Sequence, residues 1–360
     1  MEYYGDPFFI SPKTSQCKNP TCGQHHVTFV NDSNAAKDTL GQITSYAAVQ
    51  LSGQFRTHVY SVLIVKNMAR ILRWDRSGTI VTEAFDYDQS PYLVEFFRRY
   101  WAALAVMRGK DGTVSTPDRY ESRMARRALK LGANIPIVWL SVPGPNDTLS
   151  YFDVATPQST AYTLGTLPVP SVPITHPVTD SWRINLPTFT PEGEVYAKLN
   201  AASVRNVPQC LASGDISTSP YYATKTCDYV QNSWACKGCP NGPWVPHQLH
   251  RLVLNILGRS LVNYKSSHEM VTAVCDSLYG GLLLICLDHF VILICIVSLA
   301  HLDAYNIGIL HQDISAGNII IKNGQGWLIN WDMSKPVSSA IETPRHATRT
   351  VSSSISPSLI

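Results

Sequence analysis

Between Gly165 and Pro177 the chain carries four prolines, Pro168, Pro170, Pro173 and Pro177. Each fixes φ and removes a backbone donor, so the run is denied helix and the middle of a sheet. A chain of 360 residues has room for two domains. The 165–177 run therefore reads as a linker, and the chemistry on its two sides can be read separately.

Ahead of the linker, residues 1–54 are polar and irregular and predict a mostly disordered tail. Residues 55–164 predict a small α/β unit. Val59 to Val65, Ala69 to Trp74 and Thr79 to Phe85 alternate as half-buried strands, with turns at Lys66-Asn67 and Asp75-Arg76-Ser77-Gly78. Arg70, Arg73 and Arg76 read as a solvated strand edge rather than a binding face. Ser90 and Pro91 suit a helix start. From there Leu93, Val94, Phe96, Phe97, Tyr100, Trp101 and Leu104 recur at helical spacing, which predicts a core-facing stripe. A second helix is expected from Asp118 to Leu131, stopping at Gly132.

Beyond the linker the sequence carries chemistry. His311-Gln312-Asp313-Ile314-Ser315-Ala316-Gly317-Asn318 places an Asp and an Asn at the spacing of H-R-D-x-x-x-x-N, and Trp327-Leu328-Ile329-Asn330-Trp331-Asp332 follows. In that pattern the Asp accepts the proton of a substrate hydroxyl and the Asn holds a metal ion. Further blocks stand in order: Gln42 to Ala48, Phe55 to Ile64, Ala69 to Gly78, Asp180-Ser181-Trp182-Arg183, Glu192 to Leu199, and Arg251 to Asn255 with Gly258-Arg259. With Gly308-Ile309-Leu310 before the loop, the ordered set resembles the fungal-type protein kinase family. The likeness covers roughly residues 40–110 and 178–335.

The resemblance implies an α+β, protein-kinase-like bilobal fold, truncated, over 178–335. It implies ATP and Mg as cofactors and a protein Ser/Thr hydroxyl as substrate. It makes Asp313 and His311 the catalytic-loop residues and Asn318 a metal ligand. Glu192, with Glu194 as the alternative, takes the place of the helix glutamate. Three positions depart from the pattern. Gln312 stands where the loop arginine belongs. Asn330 stands where the main metal carboxylate belongs, and Mg prefers a carboxylate to a neutral amide. Thr179 stands where the strand lysine belongs, and Arg183 is a poor substitute because strand alternation fixes the face each side chain takes. No G-x-G-x-x-G occurs in the chain. Each such loss costs on the order of a hundredfold or more in rate, so the expectation is an inactive or weakly active kinase. A pseudokinase that binds a protein or nucleotide is the second reading, and a decaying gene copy with no stable product is another.

Residues 281–300 are long and apolar enough to span a bilayer. Three readings stay open: a membrane span, a buried helix ahead of the catalytic loop, or a run foreign to the domain such as translated intron. Family-like residues on both sides favour the foreign insertion, since a crossing here would separate hinge and catalytic loop. Residues 336–360 are Ser/Thr/Pro-rich and read as a disordered tail. Without the later helices of a kinase large lobe, the apolar faces near Ile319, Ile320 and Leu328 are expected to lack partners, giving marginal stability.

The net charge of +3 is too small to argue for nucleic acid. The polar, acidic start and the nine cysteines fit a reducing compartment, cytoplasmic or nuclear, with membrane association only through 281–300. Cys17 and Cys22 with His25 and His26, and Cys236 with Cys239, have spacings that zinc accepts. Free loop cysteines are the simpler reading, because each pair sits among Pro, Gly and Asn.

Overall fold

The computed structural model describes residues 9–16, 25–30, 33–129, 132–144, 149–155, 167–169, 178–216, 220–229, 232, 245–277, 281–287, 290–296 and 300–337. It is a mixed helix and antiparallel-sheet protein, with six α-helices among the described residues.

The expected tail is partly structured. Strands Phe9–Gln16 and His25–Val30 pair antiparallel, and helix α1 spans Asn34–Gly53. Ser33 caps α1, its Oγ accepting the Ala36 N–H at 3.2 Å. Ala36, Leu40, Ile43, Ala47 and Leu51 recur every three or four residues and pack against Val59, Leu72 and Trp74 of the meander. The buried residues of α1 are mostly alanines, so its stripe is faint in sequence.

The meander forms, with Val59–Val65, Met68–Asp75 and Gly78–Val81 paired in order, but the third strand stops at Val81 and Phe85–Asp86 pairs separately with Met68 and Ala69. The solvated-edge reading of the arginines is corrected. Successive strand residues take opposite faces, so Arg70 and Arg73 do not share one. Arg70 donates to the Thr82 carbonyl. Arg73 pairs with the buried Asp75 at 2.7 Å, and Arg76 donates to the Leu51 carbonyl at 2.9 Å.

Helix α2 spans Tyr92–Ala102, but its stripe is not core, and none of its residues is buried. The apolar arc is wider than the single face the meander can cover. Leu93, Phe96 and Tyr100 are half-buried, with Phe96 and Tyr100 against Tyr60, while Val94, Phe97 and Trp101 face outward. Ser90 does not cap α2; its hydroxyl bonds the Asp86 carbonyl. Helix α3, Arg119–Leu129, falls within the expected span, whose last residues lie outside the described ones, and Asp118 and Glu121 bond each other's backbone N–H in a capping box.

The second half is built on a four-stranded antiparallel sheet in the order Leu167–Val169, Val178–Ile184, His247–Leu254, Cys210–Asp215. Helix α4, Glu192–Ala201, links Val178–Ile184 to Cys210–Asp215. Of the proline run, Leu167–Val169 is an edge strand, where Pro168 is tolerated; the rest lies outside the described residues. Helices α5, Ser267–Ser277, and α6, Ala300–Asn306, follow, then the hairpin Ile319–Lys322 and Gln325–Leu328. Gly326 has no room for a side chain, since a Cβ there would lie 2.0 Å from the Ala273 carbonyl of α5.

The apolar run forms an antiparallel hairpin, Gly281–Leu287 with Phe290–Ile296, between α5 and α6. Neither helical reading holds, and no helix among the described residues is long and apolar enough to cross a membrane. The expected exposure near the catalytic loop is also corrected. Ile319 and Leu328 are buried with Tyr196, Leu199, Leu252, Ala273 and Trp331, so α4, the sheet and α5 supply the missing partners.

The two halves pack as one body. Leu140 and Val142 of strand Ile137–Pro143 meet Val178, Ala212 and Val253 of the four-stranded sheet. Arg251, 0% exposed, pairs with Asp180 on the neighbouring strand and crosses the same junction to Asp111, Thr113 and the Ser141 carbonyl. The Asp75 turn docks nearby, accepting the N–H groups of Lys225 and Thr226.

Candidate functional site

The sheet brings one face to α4 and to the loop that starts at His311. Alternation puts Thr179, Ser181 and Arg183 on that face, opposite Leu252, His250 and Gln248. The other face, with Val178 and Val253, is covered by the N-terminal half.

Asp313, Asn318 and Asn330 form a hydrogen-bonded ladder. Asn318 Nδ2 donates to the Asp313 carbonyl at 2.7 Å and to its Oδ2 at 3.1 Å. Asn330 Nδ2 donates to Asn318 Oδ1 at 2.5 Å. The Asn318 amide oxygen is therefore occupied by a neighbouring amide N–H. Asn330 and Gln312 both hold left-handed backbone, with φ of 62° and 68°. Asn tolerates that region better than most residues and Gln does not, so the loop stores strain at Gln312.

His311 is a strut. It is fully buried, its Nε2 donates to the Ile329 carbonyl at 2.9 Å, and its Nδ1 accepts the Asp313 N–H at 3.3 Å. Its ring lies edge-on to Trp331 with centroids 4.5 Å apart. Burial lowers its pKa to about 4, so it is neutral at ordinary pH.

Of the two glutamates at the start of α4, Glu192 turns inward at 5% exposed and Glu194 faces out. Glu192 Oε1 accepts the Trp331 N–H at 2.9 Å, tying α4 to the Asn330 turn. Burial, then the charge of Asp332, pushes its carboxyl up to about 8. The cation expected beside it is missing from Thr179 by residue type. Arg183 is engaged elsewhere, with Nε on Asp215 at 2.7 Å and Nη1 on the Ile184 carbonyl. Ser181, Arg183, Glu192 and Asp332 line a cavity of about 20 Å3, room for about one water.

The structure thus joins Asp313, His311, Asn318, Asn330 and Glu192, and leaves Thr179 on the sheet with no contact to them described. Asp332 joins the site although its spacing in the sequence does not fit the metal position. Its signal was only nearness to Asn330. For zinc, Cys17, Cys22, Cys236 and Cys239 lie outside the described residues, and no group of three His, Cys, Asp or Glu among the described residues can hold a metal. No protein-family model, curated protein or solved structure matches this chain.

Proposed function

We propose that the chain is a degenerate protein kinase of the fungal type that acts as a binding protein, with phosphate transfer weak or absent. The observation that carries this reading is the Asp313–Asn318–Asn330 ladder, tied to Glu192 through the Trp331 N–H. Glu192 sits on a helix between two strands of one antiparallel sheet, which is where a kinase carries the glutamate that pairs with its strand lysine. The family resemblance supplies the names of the roles, and the ladder supports their assignment to these residues.

Phosphoryl transfer depends on neutralising charge on the phosphates. Here the lysine position is Thr179 and the metal carboxylate position is Asn330. Glu192 is held near-neutral by burial rather than by a cation. Asp313 keeps the base position, but its hydrogen-bond partners among the described residues, His311 and Asn318, carry no positive charge to offset a triphosphate. The partner implied is a protein, with ATP and Mg bound weakly.

The test is radiolabelled phosphate transfer from ATP, with Mg, to a generic Ser/Thr protein substrate and to the chain itself. Equal background from the native chain and Asp313→Ala is expected. Transfer that Asp313→Ala abolishes would reject the inactive reading and retain the kinase. A variant carrying Thr179→Lys and Asn330→Asp is expected to gain an ATP- and Mg-dependent rise in melting temperature. No rise in a folded variant would count against the kinase frame itself.

A further inference from the structure

The α2 ridge has an exposed apolar face that the kinase reading does not use. Val94, Phe97 and Trp101 stand at i, i+3 and i+7 of α2, 71%, 52% and 84% exposed. Leu104 and Met107 extend the ridge past the helix end, at 69% and 44%. The inner side of α2 is anchored, with the Tyr60 ring 5.7 Å from Phe96 and 5.9 Å from Tyr100. The ridge is therefore a fixed projection.

Its charge points to the occupant. Residues 92–110 hold Arg98, Arg99, Arg108 and Lys110 against Glu95, a net +3 that equals the charge of the whole chain. The Arg98 and Arg99 side chains are 67% and 75% exposed. Glu95 bonds both and neutralises one. An apolar row with an outward Trp, flanked by arginines, suits the boundary between anionic headgroups and acyl chains. The ridge bends where α2 ends at Ala102, which fits a surface that conforms better than a groove shaped for one straight helix. A second copy would bring like charges together.

We propose that this ridge docks the protein on an anionic lipid surface. The full chain is tested by flotation with phosphatidylcholine vesicles, with and without phosphatidylserine. The expected result is flotation only with phosphatidylserine, weakened by added salt. Trp101→Ala is expected to weaken binding about tenfold or more. Arg98→Gln with Arg99→Gln is expected to weaken it and blunt the salt effect. All these side chains are exposed, so melting temperatures should match the native chain. Three results would overturn the proposal: no flotation with phosphatidylserine, unchanged flotation of Trp101→Ala, or a Trp101-dependent dimer or acidic-peptide complex formed without vesicle binding.

Discussion

The Asn330 side-chain amide donates to Asn318 Oδ1 at 2.5 Å, so under the proposed kinase reading the residue at the metal-carboxylate position closes off the other metal-ligand position. In that reading Asn330 has two effects. It lacks the negative charge that a cation would need, and it supplies an N–H where that cation would sit.

Asn330→Asp tests this relationship. The carboxylate cannot donate to Asn318 and stands near Asp313, Asp332 and Glu192. Without added metal the variant should lose about 1–3 kcal/mol of stability, the cost of an unmade buried bond plus repulsion. Mg should then raise its melting temperature and leave the native protein unchanged. A calorimetric scan with and without Mg measures both.

Glu192 sets a pH dependence of definite sign. Its carboxyl is pushed from 4.5 to about 8, by burial first and by Asp332 second. The folded protein then holds a proton that the unfolded chain has released. This contribution is fully present below about 4.5 and is lost as pH rises toward 8. Glu192→Gln stays neutral and keeps an oxygen for the Trp331 N–H. It should therefore be more stable than the native chain at about pH 8 and similar at about pH 5. Urea midpoints at the two pH values decide it.

The buried histidines act in the opposite direction. Burial lowers His58 and His311 from 6.5 to about 4. The unfolded chain takes up the protons first, so stability is full above about 6.5 and is lost as pH falls toward 4, about 2–3 kcal/mol for each. His311→Gln removes one titration and keeps a donor for the Ile329 carbonyl. In acid titrations followed by circular dichroism, its unfolding should spread over fewer protons than that of the native chain.

The legible parts of this chain are those where chemistry or capping is local in sequence. The His311–Asn318 loop and the Asn330 turn each lie within a few residues. Asp118 and Glu121 announce α3 across one turn. Helix α1 escaped because its buried positions are mostly alanines set among Thr, Ser and Gln. The exposure of α2 escaped because periodicity shows which residues are apolar, not what covers them. Residues 281–287 and 290–296 are apolar throughout, a pattern that periodicity cannot divide between helix and strand. The pairing of the two halves left no local trace, since Arg251 lies 140 residues from Asp111 and 110 from Ser141.

Arg251 is where that junction is most exposed to test. Its guanidinium is fully buried, with Nε 2.5 Å from Asp180, Nη2 3.1 Å from Asp111, and Nη1 on Thr113 and the Ser141 carbonyl. Removing it leaves two carboxylates in the interior without their cation, so Arg251→Met should cost about 3–5 kcal/mol. Lysine offers one ammonium in place of a planar fork and cannot reach this set of partners, so Arg251→Lys should recover only part of that loss. Adding Asp180→Asn to Arg251→Met removes one of the stranded charges and should return stability, which distinguishes a stranded carboxylate from lost packing. Because Asp111 and Ser141 belong to the N-terminal half, the damage should be shared. Hydrogen exchange in Arg251→Met is expected to rise together in strands Ile137–Pro143 and His247–Leu254. Faster exchange in only one of them would mean that the two halves are held independently of this residue.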